Sequence, residues 1–276
     1  MPEPPGSQIS IQTDIKADIQ ADIQQSPLQR LQSDFLDYAE VQLYIKRDDL
    51  IHPLFGGNKW RKLKNNLIHA RERDIETLLT FGGAWSNHIH ATAAAGKHFS
   101  FQTIGIIRGE AHDPLNPTLS FARSQGMQLH YIDRQQYRLK NEPRFIEELK
   151  QRFGNIYILP EGGSNQLAIP GCEEIVPEVN EQLSQQGETG FDYICCASGT
   201  GATLAGVILG LAGQAHQYPG LQVRGISVLK APGYLQAEVS GWLQQFAPVP
   251  APDWCVLDDY HCGGYARSDA RLREFM

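Results

Sequence analysis

Tyr193-Ile194-Cys195-Cys196-Ala197-Ser198-Gly199-Thr200-Gly201-Ala202-Thr203 is the stretch on which the reading of this chain turns. A short apolar run, a turn rich in glycine and hydroxyls, and an apolar stretch over Ala202–Ala212 spell strand, loop and helix. The loop has the parts of an anion cradle: flexible glycines, hydroxyl donors and a helix N-terminus with unsatisfied amides. It lacks the Gly-Lys-Ser/Thr ending of a nucleotide-binding P-loop. Leu204 also stands where the dinucleotide fingerprint needs its third glycine, which disfavours a nicotinamide dehydrogenase. A small monophosphate suits the loop better.

The same strand–loop–helix unit recurs on both sides of it. Strands are expected at Val41–Ile45, Thr77–Phe81, Thr103–Ile107, Gln128–Ile132, Ile156–Leu159, Val223–Val228 and Trp254–Leu257. Helices are expected at Lys59–Arg73, Asn87–Lys97, Asn116–Gln125, Pro143–Arg152, Gln166–Gln185 and Gly233–Phe246. Several strands are apolar on both parities, as when helices cover both faces of a parallel sheet. The fold class is therefore α/β, with ligands expected where glycine-rich loops follow the strands.

Three further loops fit that description. Gly56-Gly57-Asn58-Lys59 opens a helix, and Lys59 sits where the helix dipole disfavours a cation. It reads either as a solvated surface lysine beside Arg61, Lys62 and Lys64, or as a lysine of lowered pKa ready to form an imine. Gly82-Gly83-Ala84-Trp85-Ser86-Asn87-His88 precedes an alanine-rich helix that Ser86 or Asn87 can cap. His88 and His90 lie two residues apart and would point to different sides, which argues for packing or hydrogen bonding over a metal. Glu161-Gly162-Gly163-Ser164-Asn165 belongs either to the same crevice or to a plain loop capped by Asn165.

The 276 residues carry 24 Lys and Arg against 31 Asp and Glu, a net charge of −7, which argues against nucleic acid as a partner. Five cysteines, two of them adjacent, form neither a disulfide framework nor a C-x-x-C zinc pattern, so no metal and a reducing cytoplasm are expected. No stretch reaches the roughly 20 apolar residues of a membrane span, and no leader pattern is visible. Residues 1–33 are proline- and glutamine-rich, with Asp-Ile pairs repeating at Asp14, Asp18 and Asp22. They have too little apolar surface of their own and are expected to be a flexible tail.

Taken in order, Lys46-Arg47-Asp48-Asp49-Leu50, the Lys59 loop, the Ser86 loop, the Gly162 loop and Gly199–Thr203 resemble the 1-aminocyclopropane-1-carboxylate deaminase and D-cysteine desulfhydrase family. The likeness runs from about Leu43 to Tyr265. It implies a pyridoxal 5'-phosphate cofactor on a tryptophan-synthase-β-like scaffold (fold type II). It also implies two three-layer α/β/α domains with mainly parallel sheets. Residues 62–165 are the expected small domain; 34–61 and 166–276 are the expected large cofactor domain.

Residue by residue, the resemblance implies that Lys59 carries the cofactor covalently and Asn87 bonds its 3′-oxygen. Gly199, Thr200, Gly201, Ala202 and Thr203 match the phosphate loop. Ser86 matches the serine near the substrate carboxylate, and Tyr265 the active-site tyrosine. A homodimer acting on a small amino acid is implied as well. The family pattern continues with a Tyr-x-Gly-Lys segment, a further strand and a glycine-rich end, which do not follow the expected helix Arg267–Met276. The residue facing the pyridine nitrogen belongs to that segment, so a chain ending at Met276 is expected to have altered cofactor electronics and a less stable large domain.

The expected reaction is β-elimination from D-cysteine to pyruvate, sulfide and ammonia. Trp85 and His88 favour it, because they depart from the deaminases' Ile-Gln-Ser-Asn-Gln. The alternatives are a 1-aminocyclopropane-1-carboxylate deaminase giving 2-oxobutyrate and ammonia, and an impaired homologue that only binds cofactor.

Overall fold

A computed structural model describes residues 15–212, 214, 218, 220–246, 250–264 and 267–275. The chain enters through α1 (Ile15–Asp22), β1 (Leu28–Leu31), α2 (Asp34–Tyr38) and β2 (Leu43–Lys46). The flexible tail expected over residues 1–33 is corrected here for residues 15–33. Spacing by four puts Ile15 and Ile19 on one face of α1, where both are buried in the core with Trp60, Leu63 and Leu67. The apolar partner surface comes from a distant helix, which composition of the segment alone does not reveal. Strand β1 then pairs antiparallel with β2, Leu28 opposite Lys46 and Leu31 opposite Leu43. The strand expected at Val41–Ile45 thus belongs to a small antiparallel ribbon, not to a parallel sheet.

The first large unit contains α3 (Asn58–Arg71), β3 (Thr77–Gly83), α4 (Asn87–His98), β4 (Gln102–Arg108), α5 (Pro117–Ser124), β5 (Gln128–Ile132), α6 (Arg134–Arg138), α7 (Pro143–Phe153) and β6 (Ile156–Leu159). Its four strands are all parallel, in the order β5-β4-β3-β6. Leu78 turns toward α3 and α4, with Ala91, Ala94 and Ala95. Its neighbours Leu79 and Phe81 turn the other way, onto Tyr137 of α6 and Leu149 of α7. Alternate residues of one strand are therefore buried on opposite faces, giving three layers.

The second unit contains α8 (Ala168–Glu173), α9 (Ile175–Gln185), β7 (Tyr193–Ser198), α10 (Ala202–Leu211), β8 (Gln222–Ser227), α11 (Tyr234–Leu243) and β9 (Asp253–Leu257), followed by α12 (Ala270–Phe275). The single helix expected at Gln166–Gln185 is two helices meeting at Glu174. Pro177, lacking an N–H, falls in the first turn of α9, where an amide has no helical partner in any case. Strands β7, β8 and β9 are parallel in that order. Val223 and Ala202, Leu204 and Ile208 of α10 share a core with Val239 of α11. The opposite face of this sheet carries exposed Tyr193 and Cys195. Helices cover one face of it among the described residues.

Candidate active site

Helix α3 starts abruptly because Gly57 adopts φ +76°, a left-handed conformation that favours glycine. The next residue ties the loop to a distant one: Asn58 Nδ2 donates to Thr203 Oγ1 at 3.0 Å. Residue 59 and the turn at 199–203, separated by about half the chain, are thus neighbours. Burial pushes the Lys59 amine below its usual value, while the nearby Cys172 thiol opposes that shift. Among the described residues the amine has no hydrogen-bond partner.

Lys62, one helical turn on, was read from sequence as part of a solvated basic run. It is instead 1% exposed. Its ammonium donates to Gly162 O at 3.3 Å, Ser164 Oγ at 3.1 Å and Thr200 Oγ1 at 3.1 Å. Ser164 Oγ and Thr200 Oγ1 lie 2.7 Å apart. Burial, followed by the charge of Lys59, pushes Lys62 down to about 7. The signal that could have found it is spacing: residues i and i+3 share a helix face, which turns Lys62 toward the same crevice as Lys59.

The turn after β7 ends at Gly201, φ +76°, which caps α10. A Cβ there would come within 3.0 Å of Val239 Cγ2. Helical bonding begins with Ala205 N–H to Gly201 O, so the amides of residues 202–204 have no partner within the helix. Cys172 lies beside this turn, bonded to Thr203, and burial raises its thiol to about 11. The Glu161 loop is part of the same crevice through Lys62, and its Asn165 also caps, accepting from Ala168 N–H at 3.0 Å.

Ser86 caps α4, its hydroxyl accepting from Ile89 N–H at 3.3 Å. Asn87 is the first residue of α4 and exposed, as is Trp85. His88 and His90 diverge: His90 stacks on Phe121 at 3.9 Å, whereas His88 is buried with Nε2 2.8 Å from Thr80 Oγ1. Burial, then the charges of Lys59 and Lys62, holds His88 well below the ordinary imidazole range. The structure brings together Lys59, His88 and the 199–203 turn, and adds Lys62 and Ser164. Tyr265 lies outside the described residues.

The donor set suits pyridoxal phosphate. A partnerless amine of lowered pKa is what an aldehyde requires. A buried cation, two hydroxyls and free helix amides are what a phosphate requires. No carboxylate pairs with Lys62 among the described residues, so an anion would supply its missing counter-charge.

Comparison with known proteins agrees. A protein named bifunctional D-cysteine desulfhydrase/1-aminocyclopropane-1-carboxylate deaminase, mitochondrial, from Arabidopsis thaliana is 32% identical over 247 residues. That alignment covers 86% of this chain and 61% of the relative. A D-cysteine desulfhydrase from Salmonella schwarzengrund is 28% identical over 246 residues, covering 83% and 71%. A crystal structure described as an ACC deaminase homologue superposes with a TM-score of 0.72 at 26% identity, covering 92% of this chain and 79% of that one. The α/β reading with mainly parallel sheets stands on the same neighbour. A family model described as pyridoxal-phosphate dependent enzyme matches residues 19–276, and the chain belongs to that family.

Proposed function

We propose that this chain is a pyridoxal-phosphate-dependent lyase that removes sulfide from D-cysteine, giving pyruvate and ammonia with uptake of one water. The observation that carries the reading is the pair of lysines on one face of α3, one partnerless and one set between Ser164 and Thr200. When bound, the cofactor supplies an electron sink for negative charge developing at the substrate's α-carbon.

The chain's own residues do the rest. Lys59 Nζ holds the cofactor and, once released, takes the α-proton; burial lowers its pKa, which favours the neutral amine that both tasks need. Lys62, Ser164, Thr200 and the amides of 202–204 hold the phosphate. Asn87 orients the ring through its 3′-oxygen. Ser86, at the start of α4, directs the helix amides toward the substrate carboxylate, and Tyr265 is placed in the site by the resemblance. The units 62–165 and 34–61 plus 166–276 serve as two domains with the site between them, supported by the Lys62–Thr200 bond that crosses that boundary. A homodimer in the cytoplasm belongs to the same reading, supported by the resemblance and by five free cysteines.

The relative carrying both activity names and the deaminase-homologue neighbour favour a second reading, 1-aminocyclopropane-1-carboxylate deaminase. That substrate has no α-proton, so Lys59 would take one from a ring methylene. Purified protein supplied with pyridoxal phosphate is expected to release pyruvate from D-cysteine. 2-Oxobutyrate from the cyclopropane substrate would select the second reading, and neither product would leave a cofactor-binding homologue.

A further inference from the structure

Asn66 lies on the stripe of α3 that also carries Lys59 and Lys62, at the i, i+3, i+7 spacing of one helical face. The neighbouring stripe, Trp60, Leu63, Leu67 and Ala70, is apolar and packs into the core. A leucine at position 66 would extend that core, yet the residue there is an amide, 0% exposed. Burying an amide costs free energy unless its groups are met, so its role is read from its partners.

All of those groups are met. Asn66 Nδ2 donates to the Lys62 carbonyl at 2.7 Å and to Asn165 Oδ1 at 3.2 Å. Its Oδ1 accepts from Asn165 Nδ2 at 2.6 Å and from the Tyr157 hydroxyl at 2.7 Å. The two amides therefore face each other and exchange two bonds. Asn165 Oδ1 also takes the N–H of Ala168, so the pair ties α3 to β6 and to the start of α8.

What the pair fixes is Ser164. One side of it grips the backbone of Lys62 and the other the residue that follows Ser164, whose Oγ lies 3.1 Å from Lys62 Nζ. The loop does not hold Ser164 by itself. Gly162 and Gly163 before it are both left-handed, φ +70° and +69°, and glycine leaves a backbone free to turn. The placement matters because Ser164 is half of a donor pair. Lys62 gives one proton to Ser164 Oγ and another to Thr200 Oγ1, and those hydroxyls, 2.7 Å apart, share one of their own. One hydroxyl proton is left over, beside the Lys62 charge, to meet an anion.

We propose that Asn66 is a positioning residue for the phosphate end of the crevice, acting through Asn165 to hold Ser164 Oγ against Lys62. The inference rests on the phosphate assignment of Lys62 and Ser164 made above and adds the group that keeps the two together. Asn66 gives nothing to the anion itself, since its own donors and acceptor are spent behind Lys62.

A double-mutant cycle tests this, read as affinity of the purified protein for pyridoxal phosphate and, in parallel, for pyridoxal, which lacks the phosphate. Ser164→Ala and Asn66→Leu are each expected to weaken pyridoxal phosphate binding about fivefold, the size of one hydrogen bond. Together they should weaken it no more than either alone, because both remove the same contact. Pyridoxal should bind all three variants as it binds the parent protein. If Asn66→Leu fails to fold, Asn165→Ala, on the half-buried loop side, breaks the same pair and takes its place in the cycle. No loss from breaking the pair, additive losses, or equal losses for pyridoxal and its phosphate would make Asn66 a general support of the fold and overturn the proposal. Unchanged affinity in Ser164→Ala would overturn it as well, and the phosphate assignment of Ser164 with it.

Discussion

Arg61 and Lys62 are neighbours on α3, both buried, and surrounded in opposite ways. Arg61 forks onto Asp48 at 2.7 Å and Glu178 at 2.8 Å, and Lys46 adds a second cation to Glu178 at 2.7 Å. Burial alone would lower its pKa, but those two carboxylates raise it. Lys62 faces the other way and finds hydroxyls and a carbonyl. A cation satisfied by opposite charge fastens α3 to α9 and to the Asp48 turn. A cation satisfied only by neutral groups is held ready for an anion. One helix therefore has a structural back and a chemical front, a residue apart.

Breaking the back should have the largest effect. Arg61→Met leaves Asp48 without its cation and Glu178 with Lys46 alone, and should destabilise the protein by about 3–5 kcal/mol, read from urea unfolding. A loss below about 1 kcal/mol would reduce the network to a surface-like ion pair. Breaking the front should act on binding instead. Lys62→Met should leave stability unchanged or higher, yet weaken pyridoxal phosphate binding about 10- to 100-fold, the cost of a charged hydrogen bond. Equal losses of stability in the two variants would erase the contrast.

A gentler test varies pH. The folded state depresses Lys62 to about 7, so between that value and the ordinary lysine range the unfolded chain binds more protons than the folded one. The cofactor-free protein should therefore gain stability as pH rises above 7, by at most about 1.4 kcal/mol per unit for this group. Lys62→Met should flatten that rise, leaving the smaller rise from Lys59 and, toward pH 9 and above, the opposing fall from the raised Cys172 thiol. Buried neutral His88 adds a rise on the acid side, below its ordinary imidazole range, that the Lys62 variant should keep. A rise above pH 7 unchanged in Lys62→Met would contradict the depressed amine.

The contrast also shows how far the sequence could be read. Strands at Gln128–Ile132 and Ile156–Leu159 fall where alternating and apolar runs put them, because both faces of that sheet are covered locally. The loops at 56–59, 82–88, 161–165 and 199–203 were legible through their glycines, whose conformations do not depend on distant partners. Arg61 and Lys62 were not. In a Lys-Trp-Arg-Lys-Leu-Lys run every cation looks solvated, and only contacts from residues 48, 178, 162–164 and 200 separate structural from chemical. Helix α6 and strand β1 were missed for the same reason, being short polar segments fixed by tertiary contacts. The N-terminal helix had the right spacing in its isoleucines, but its partner lies on α3.

The central claim is that the cofactor's aldehyde is carried on position 59 while Lys62 keeps a free amine beside the phosphate. The direct test is to add pyridoxal phosphate to the purified protein, reduce it with borohydride, and map the pyridoxyl group by peptide mass spectrometry. The account predicts a single label on Lys59, lost in Lys59→Ala and retained at higher cofactor concentration in Lys62→Met. A label on Lys62, or a yellow species that persists in Lys59→Ala, would contradict it.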